Sequence, residues 1–200
     1  PKLDKWSGTS FPTFAFGQGY MVTAVQIASM YATIANDGVR INPSLIEGYV
    51  MPNGQYQAAA EPERTEVISV AAAKTLREMM ETVVSVEGTA PLAAIPGYRV
   101  AGKTGTAQRI DDTCGCYRGY TASFIGFAPA DNPAYVISVT IQDPKGLHWG
   151  GYLGGPVFKK VMSFVLQSKG IAPTGTKVIP YPLTEKQLIA AKKAASVKTN

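Results

Sequence analysis

The chain has 200 residues, a length that suits one domain or a large part of one. Hydrophobic residues make up 46% of the sequence and charged residues 16%. This composition excludes a disordered chain and supplies enough apolar material for a core. The net charge is +5, but much of the excess lies in the last seventeen residues, Thr184–Asn200. With no basic stripe interleaved with aromatic residues, nucleic-acid binding is not expected.

The first third of the chain predicts a helix followed by short strands. Apolar residues recur at helical spacing over Thr23–Asn36, where Thr23 can cap the start and Gly38 can end the helix in a left-handed conformation. Val39–Ile41 and Leu45–Val50 are predicted strands, and a turn at Pro52–Gly54 is expected to reverse the chain.

A second helix is predicted after Ser69, which can serve as its N-cap. Five apolar residues at helical spacing are expected to form its buried face: Ala73, Leu76, Met80, Val83 and Val84. The period then changes to two, which predicts half-buried strands over Arg99–Gln108, Tyr120–Phe127 and Tyr135–Ile141. The short connection between the last two strands predicts an antiparallel hairpin.

A last helix is predicted over Pro156–Gln167, with proline in its first turn. Its apolar stripe is expected to consist of Val157, Val161, Phe164 and Val165. Residues 171–200 form a polar, basic tail, in which Gln187–Ala195 is expected to be at most a weak surface helix. We therefore expect a folded part over residues 1–170 and a separate C-terminal tail.

Two motifs overlap near the middle of the chain. Residues 97–104 match the phosphate-binding loop pattern G-x-x-x-x-G-K-[ST], and residues 103–106 read Lys-Thr-Gly-Thr. A phosphate loop must follow a buried strand and open a helix. Here Gly105 follows Thr104, and residues 105–112 have no apolar helical face. The sequence therefore favours a strand that carries Lys-Thr-Gly over a nucleotide site.

The segments around this strand strengthen that interpretation. These segments are Gly17–Tyr20, Val100–Gln108, Tyr120–Pro129, Gly150–Gly151 and Pro156–Phe158. In their order and spacing they closely resemble class B penicillin-binding proteins, the monofunctional peptidoglycan transpeptidases, over roughly Phe11 to Leu166. The resemblance implies an α+β fold, with an antiparallel sheet packed with helices, of the serine penicillin-binding and β-lactamase-like type. It is nearest to the septal, cell-division type of an actinobacterium.

Two family motifs are missing. The family needs Ser-x-x-Lys, in which the serine attacks, and Ser-x-Asn; no serine of this chain is followed by lysine three residues on, or by asparagine two residues on. Both motifs normally precede the Lys-Thr-Gly strand. The chain also begins without methionine, so we expect the C-terminal part of a transpeptidase domain, with the nucleophile on an upstream segment.

The resemblance assigns roles to the residues that are present. Lys103, Thr104, Gly105 and Thr106 are the expected catalytic group: Lys103 supplies positive charge, the two threonine hydroxyls bind the terminal carboxylate of the substrate, and Gly105 allows close backbone approach. The backbone N–H of Thr106 is expected to join the oxyanion hole.

Tyr120 and the pair His148–Trp149 fall where the family places an aromatic wall beside the cleft. Tyr120 and Trp149 are therefore expected to bind substrate, with Trp149 on a flexible loop before Gly150–Gly151. A catalytic role for His148, the only histidine, is not expected, since the family uses none.

Cys114 and Cys116 flank one glycine in a polar segment that is expected to be an exposed hairpin tip. Two interpretations stay open, a pair of free thiols and a tight disulfide, and the second needs an oxidising compartment. A zinc site is not expected, because the chain has only two cysteines and one histidine.

The resemblance implies peptidoglycan stem peptides as substrates, β-lactams as inhibitors and proteins of the septal machinery as partners, without a cofactor or nucleic acid. It also implies that the protein is located at the outer face of the cell membrane, where an upstream segment anchors it. A β-lactamase or D,D-carboxypeptidase, and a non-catalytic sensor domain of the same fold, are the alternatives.

Overall fold

The computed structural model describes residues 4, 6–15, 17, 19, 21–111, 113–175 and 189. Four α-helices, a short 3₁₀ helix (Pro91–Ala93) and seven strands lie in these residues. The helices are α1 (Ser10–Ala15), α2 (Ala24–Ala35), α3 (Val70–Thr82) and α4 (Gly150–Ser168). The strands are β1 (Val39–Ile41), β2 (Gly48–Val50), β3 (Tyr56–Ala58), β4 (Arg64–Glu66), β5 (Ala101–Asp111), β6 (Cys116–Ala128) and β7 (Tyr135–Gln142). The expected helix at Gln187–Ala195 lies almost wholly outside the described residues.

The central feature is an antiparallel sheet in the order β5-β6-β7. Lys103 pairs with Ile125 and Ile125 with Ser138, while Thr104 pairs with Phe124 and Phe124 with Val139. Because side chains alternate along a strand, these two rows of residues point to opposite faces of the sheet. The three predicted strands and their antiparallel pairing are confirmed.

The main core lies between one face of the sheet and α4. Phe124 of β6 contacts Phe158 of α4 edge to face, with ring centroids 4.9 Å apart. Both rings are fully buried. The remaining buried residues of this cluster are Val84, Ala90, Ala93, Ile95, Val100, Ala128, Met162 and Leu166.

The other face of the sheet is covered by α2 and α3. Met80 of α3 packs with Ala101 of β5 and Phe127 of β6, and Ile34 of α2 packs against this cluster. The first strand of the sheet is thus held between helices of two different parts of the chain.

An ion pair with a buried carboxylate connects α3 to the residues just before β5. Arg99 donates hydrogen bonds of 2.9 and 2.6 Å to the two carboxylate oxygens of Glu81, and the Glu81 side chain is only 2% exposed. The hydrogen bond to Glu81 raises the pKa of the Arg99 guanidinium. A second arginine, Arg77, pairs with Asp37 at 2.7 Å and so joins α3 to the end of α2.

The starts of α2 and α3 follow the sequence closely. Thr23 caps α2 in a capping box: its side chain accepts from the Gln26 N–H, and the Gln26 side chain accepts from the Thr23 N–H. Ser69 caps α3 by accepting from the Ala72 N–H. Gly38 follows α2 at φ +88°, as predicted. The predicted strand Leu45–Val50 is only partly formed, as β2 begins at Gly48.

The predicted start and the predicted buried face of α4 are wrong. Helix α4 begins at Gly150, so Pro156 lies inside the helix and not in its first turn. Its buried residues include Phe158, Met162 and Leu166, whereas Val157, Val161 and Phe164 of the expected stripe are exposed. The predicted face of α3 is largely confirmed: Ala73, Met80 and Val84 are buried and Val83 is partly buried, whereas Leu76 is exposed. In α4 both the expected row and the buried row are apolar, so periodicity alone did not distinguish them.

The region from α2 to β4 is more open. Strand β1 pairs only with β4, and β2 only with β3. Between α2, the β1–β2 connection and β7 lies a groove of about 860 Å³, lined by residues that include Val25, Ala28, Ile41, Ile46 and Val136. Among the residues that the structure describes, no helix is long and apolar enough to cross a membrane.

Candidate functional site

The Lys-Thr-Gly-Thr residues lie on β5, at one edge of the sheet. Residues Lys103–Thr106 pair with Ile125–Ala122 of β6. The strand continues to Asp111 without a helix. This geometry overturns the phosphate-loop alternative, which required a helix to begin at Thr104. The strand prediction is confirmed.

Lys103 lies on the sheet edge with its ammonium group exposed. Its Nζ donates to the Thr104 carbonyl oxygen at 3.0 Å and lies 3.5 Å from Thr104 Oγ1. The Thr104 hydroxyl also lies 3.1 Å from the hydroxyl of Thr89, and either oxygen can donate. A cation and two hydroxyl groups therefore meet at this edge, which is suited to binding an anion.

The start of α4 packs directly on this strand. The Gly150 N–H donates to Thr106 Oγ1 at 3.3 Å. A Cβ atom on Gly150 would collide with the backbone oxygens of Gly105 and Ser123. Similarly, a Cβ on Gly151 would collide with the Thr89 carbonyl oxygen. Glycine at these positions lets α4 approach the sheet closely.

Tyr120, His148 and Trp149 form an aromatic group beside the strand. The rings of Tyr120 and His148 stack with centroids 4.0 Å apart and planes 6° apart. The Trp149 ring lies 5.1 Å from His148. Trp149 is exposed and lies in the loop directly before α4, at its N-cap position, so its expected place in a loop before Gly150–Gly151 is confirmed. The two glycines themselves are buried residues of the helix.

The turn that joins β5 to β6 is exposed and contains a disulfide bond between Cys114 and Cys116. Arg118 of β6 lies 3.2 Å from the Asp111 carboxylate. The Thr113 side chain and backbone donate to the same carboxylate and lower the pKa of Asp111. The sequence-based prediction of an exposed turn is confirmed.

A second charged cluster lies at the end of β7. Lys145 donates to Asp143 at 2.6 Å, and Arg109 of β5 lies 3.9 Å from Asp143. The hydrogen bond from Lys145 lowers the pKa of Asp143. Gly119 is held at φ +73°, and a side chain there would collide with Asp143.

The sequence analysis missed Thr89 and the contact role of Gly150. Thr89 lies in the connection after α3, fifteen residues before Thr104, and no local pattern predicts their contact. Gly150 was identified only as part of a glycine pair. Among the described residues, no three His, Cys, Asp or Glu side chains lie together as metal ligands.

Residues 2–163 match the family described as penicillin binding protein transpeptidase domain. The chain is 42% identical to penicillin-binding protein PbpB of Mycolicibacterium smegmatis, over 86% of this chain and 28% of that protein. It is 34% identical to the probable peptidoglycan D,D-transpeptidase PenA of Neisseria flavescens, over 85% of this chain and 40% of that protein.

The fold matches a crystal structure of penicillin-binding protein 3 of Mycobacterium tuberculosis in complex with ampicillin, with a TM-score of 0.83 and 38% identity. The match covers 90% of this chain and 42% of that one. The chain thus spans less than half the length of each of these relatives. It belongs to the penicillin-binding protein transpeptidase domain family and is of the class B type.

Proposed function

We propose that this chain is the part of a peptidoglycan D,D-transpeptidase that carries the Lys-Thr-Gly-Thr strand. In this reaction a serine hydroxyl attacks the carbonyl between the last two D-alanines of a stem peptide, and the terminal D-alanine leaves. An amine of a neighbouring stem peptide then displaces the serine ester and forms the cross-link. β-Lactams resemble the D-Ala-D-Ala end and acylate the same serine.

In this proposal Lys103, Thr104 and Thr106 bind the terminal carboxylate of the stem peptide. Lys103 provides the positive charge, and the two hydroxyls provide hydrogen bonds. Gly105 lets the peptide approach the strand, and the backbone N–H of Thr106 stabilises the oxyanion. Tyr120 and Trp149 contact the substrate beside the strand.

One observation carries the proposal: the start of α4 brings the aromatic group to the Lys-Thr-Gly-Thr strand. Gly150 donates to Thr106 Oγ1 at 3.3 Å, and Trp149 directly precedes Gly150. Trp149 in turn neighbours the stacked pair of His148 and Tyr120. Carboxylate-binding groups and an apolar contact surface therefore lie side by side, as a peptide with a charged end requires.

In this proposal the other catalytic residues lie outside these 200 residues. The Ser-x-x-Lys and Ser-x-Asn motifs, absent from this sequence, come from another part of the same protein. That protein acts at the outer face of the cell membrane, where peptidoglycan is, with the septal division proteins as partners. The name of the Neisseria flavescens relative, and the ampicillin complex of the mycobacterial one, support the activity and the inhibitor class.

Labelling with a fluorescent penicillin tests the proposal. The complete protein is expected to form a covalent adduct that survives denaturation. The 200-residue chain alone is expected to form none, because it lacks the nucleophile. A complete, folded protein that forms no adduct would contradict the transpeptidase assignment. An adduct on the isolated chain would place the nucleophile here and contradict the division of roles.

A further inference from the structure

The hairpin of β5 and β6 extends beyond the third strand of the sheet. Strand β7 pairs with β6 only from Thr121 to Ala128, whereas β5 and β6 stay paired out to Asp111 and Cys116. Residues 108–111 and 113–120 therefore form a two-stranded ribbon. A ribbon of two strands is only marginally stable in water, and here a register shift between Gln108 and Ile110 interrupts its pairing further.

Two contacts fasten the tip of the ribbon. The Cys114–Cys116 disulfide closes the turn, and the ion pair of Arg118 with Asp111 spans the two strands just behind it. The Arg118 side chain is 73% exposed, so this pair contributes little. Nearer the base, Arg109 lies 3.9 Å from Asp143. At the tip, the disulfide is the covalent contact and does not open by simple thermal motion.

The base of the ribbon adjoins the candidate site. Gln108 pairs with Tyr120, and Tyr120 stacks on His148. Thr106 lies two residues before Gln108 on the same strand. A change in the order of the ribbon thus reaches a substrate-contacting ring and the end of the Lys-Thr-Gly-Thr segment without passing through the core.

Both cysteines are exposed, so a thiolate from solution can approach either sulfur. Exposed disulfides are the ones that undergo exchange most readily. The bridge closes a ring of only three residues, and the loss of so small a ring adds little chain entropy to the unfolded state. Opening the bridge should therefore leave the rest of the fold intact.

We propose that Cys114–Cys116 is a thiol–disulfide exchange site for a dithiol and that its oxidised form speeds acylation by ordering the ribbon. A thiolate of the dithiol attacks one cysteine sulfur, the protein S–S bond breaks, and the released cysteine thiolate takes up a proton. The second thiol of the dithiol then resolves the mixed disulfide and frees the other cysteine. The dithiol ends as a disulfide, and the protein gains two electrons and two protons.

The exchange step is tested first, on the complete, folded protein without denaturant. Dithiothreitol is the small-molecule reductant. A thioredoxin is tested in parallel, to show whether a protein dithiol also reduces the bridge. Two thiols per chain at these positions are expected to become titratable while the circular dichroism spectrum stays native. If the bridge opens only after denaturation, the exchange site is refuted.

The proposed effect of the disulfide on acylation rests on the proposed function, and it has a separate readout. The oxidised protein, the reduced protein after removal of dithiothreitol, and the double variant Cys114→Ser/Cys116→Ser are each acylated with fluorescent penicillin. The reduced protein and the double variant are expected to react about 3–10-fold more slowly, since small displacements of catalytic groups lower rates steeply. Added dithiol should not change the double variant further.

The outcomes separate the two proposals. Equal acylation rates in all three forms would overturn the control by the disulfide and leave the transpeptidase assignment standing. No acylation in any form would contradict the transpeptidase assignment and with it the control, while the thiol titration would still decide the exchange site. If dithiol changes the acylation rate of the double variant, the rate effect comes from a group other than Cys114–Cys116, and the inference is overturned.

Discussion

The sheet with α4 and the region from α2 to β4 differ in how completely this chain packs them. Seven residues of α4 are buried, and Phe124 and Phe158 meet in a fully buried contact. In α2 only Thr33 is buried, and Val25 and Met30 are exposed. Leu45, in the connection before β2, is fully exposed.

This difference bears on the site. The Lys-Thr-Gly-Thr strand, the aromatic group and the start of α4 all belong to the closely packed region, so their geometry depends on contacts within this chain. The open region instead presents an apolar groove, and among the described residues nothing covers it. We therefore expect core substitutions to be costly in the first region and to have smaller effects in the second.

The largest expected effect comes from Phe158→Ala. Removal of a fully buried phenylalanine should lower the free energy of unfolding by about 3–5 kcal/mol, measured by urea denaturation of the purified protein. Phe164→Ala on the same helix is the matched control, because that ring is 70% exposed, and it should change stability by less than about 0.5 kcal/mol. Equal costs for the two variants would contradict the burial of Phe158 in place of Phe164.

The second prediction concerns the ion pair that holds β5 to α3. Arg99→Met leaves the buried Glu81 carboxylate without its partner and should cost about 3 kcal/mol. Arg118→Met removes an exposed arginine from Asp111 and should cost at most about 1 kcal/mol. Both values come from the same denaturation experiment.

A double variant, Arg99→Met/Glu81→Leu, checks the cause. It should recover much of the loss, because the unpaired charge is then gone. If Arg99→Met costs less than about 1 kcal/mol, Glu81 is not an isolated buried charge, and the connection between α3 and β5 is weaker than the structure indicates.

The third prediction concerns the hydroxyl of Thr106. In the complete protein, Thr106→Val removes a proposed hydrogen bond to the substrate carboxylate, worth about 1.5–3 kcal/mol for a charged partner, or about 10–100-fold in the acylation rate. Thr106→Ser keeps the hydroxyl and should stay near the wild-type rate. An unchanged rate in Thr106→Val would remove this side chain from substrate binding, though not its backbone N–H.

The smallest expected effect belongs to the open region. Thr23→Ala removes the capping box of α2 and should lower the free energy of unfolding by about 1 kcal/mol. Thr23→Ser retains a capping hydroxyl and should be nearly neutral. A cost of several kcal/mol for Thr23→Ala would mean that α2 contributes more to the stability of the fold than its exposure indicates.

Local signals in the sequence predicted much of this fold. Thr23, Ser69 and Gly38 are recognisable because caps depend on one side chain and the backbone next to it. The strands around Lys103 and Phe124 were recognisable from their alternation. The short strands β3 and β4 were missed, since three exposed residues carry no hydrophobic pattern.

What the sequence could not predict depends on contacts between distant segments. Helix α4 has two apolar rows, and only the presence of Phe124 opposite Phe158 decides which row is buried. The sequence identified Gly150 and Gly151 only as a glycine pair. That Gly150 lets a helix touch a strand depends on the distant backbone of Gly105 and Ser123. Thr89 reaches Thr104 across fifteen residues, a contact that no local pattern encodes.

The central claim is that Lys103 acts on the substrate, and one measurement tests it most directly. The second-order rate of acylation by penicillin is compared in the complete protein for Lys103→Met and for Lys159→Met, an exposed lysine on α4. Lys103→Met should react at least about 10-fold more slowly, as expected when a hydrogen-bonded charge is lost, with an unchanged unfolding midpoint. Lys159→Met should react at the wild-type rate. Equal rates for Lys103→Met and the wild type would contradict the proposed site.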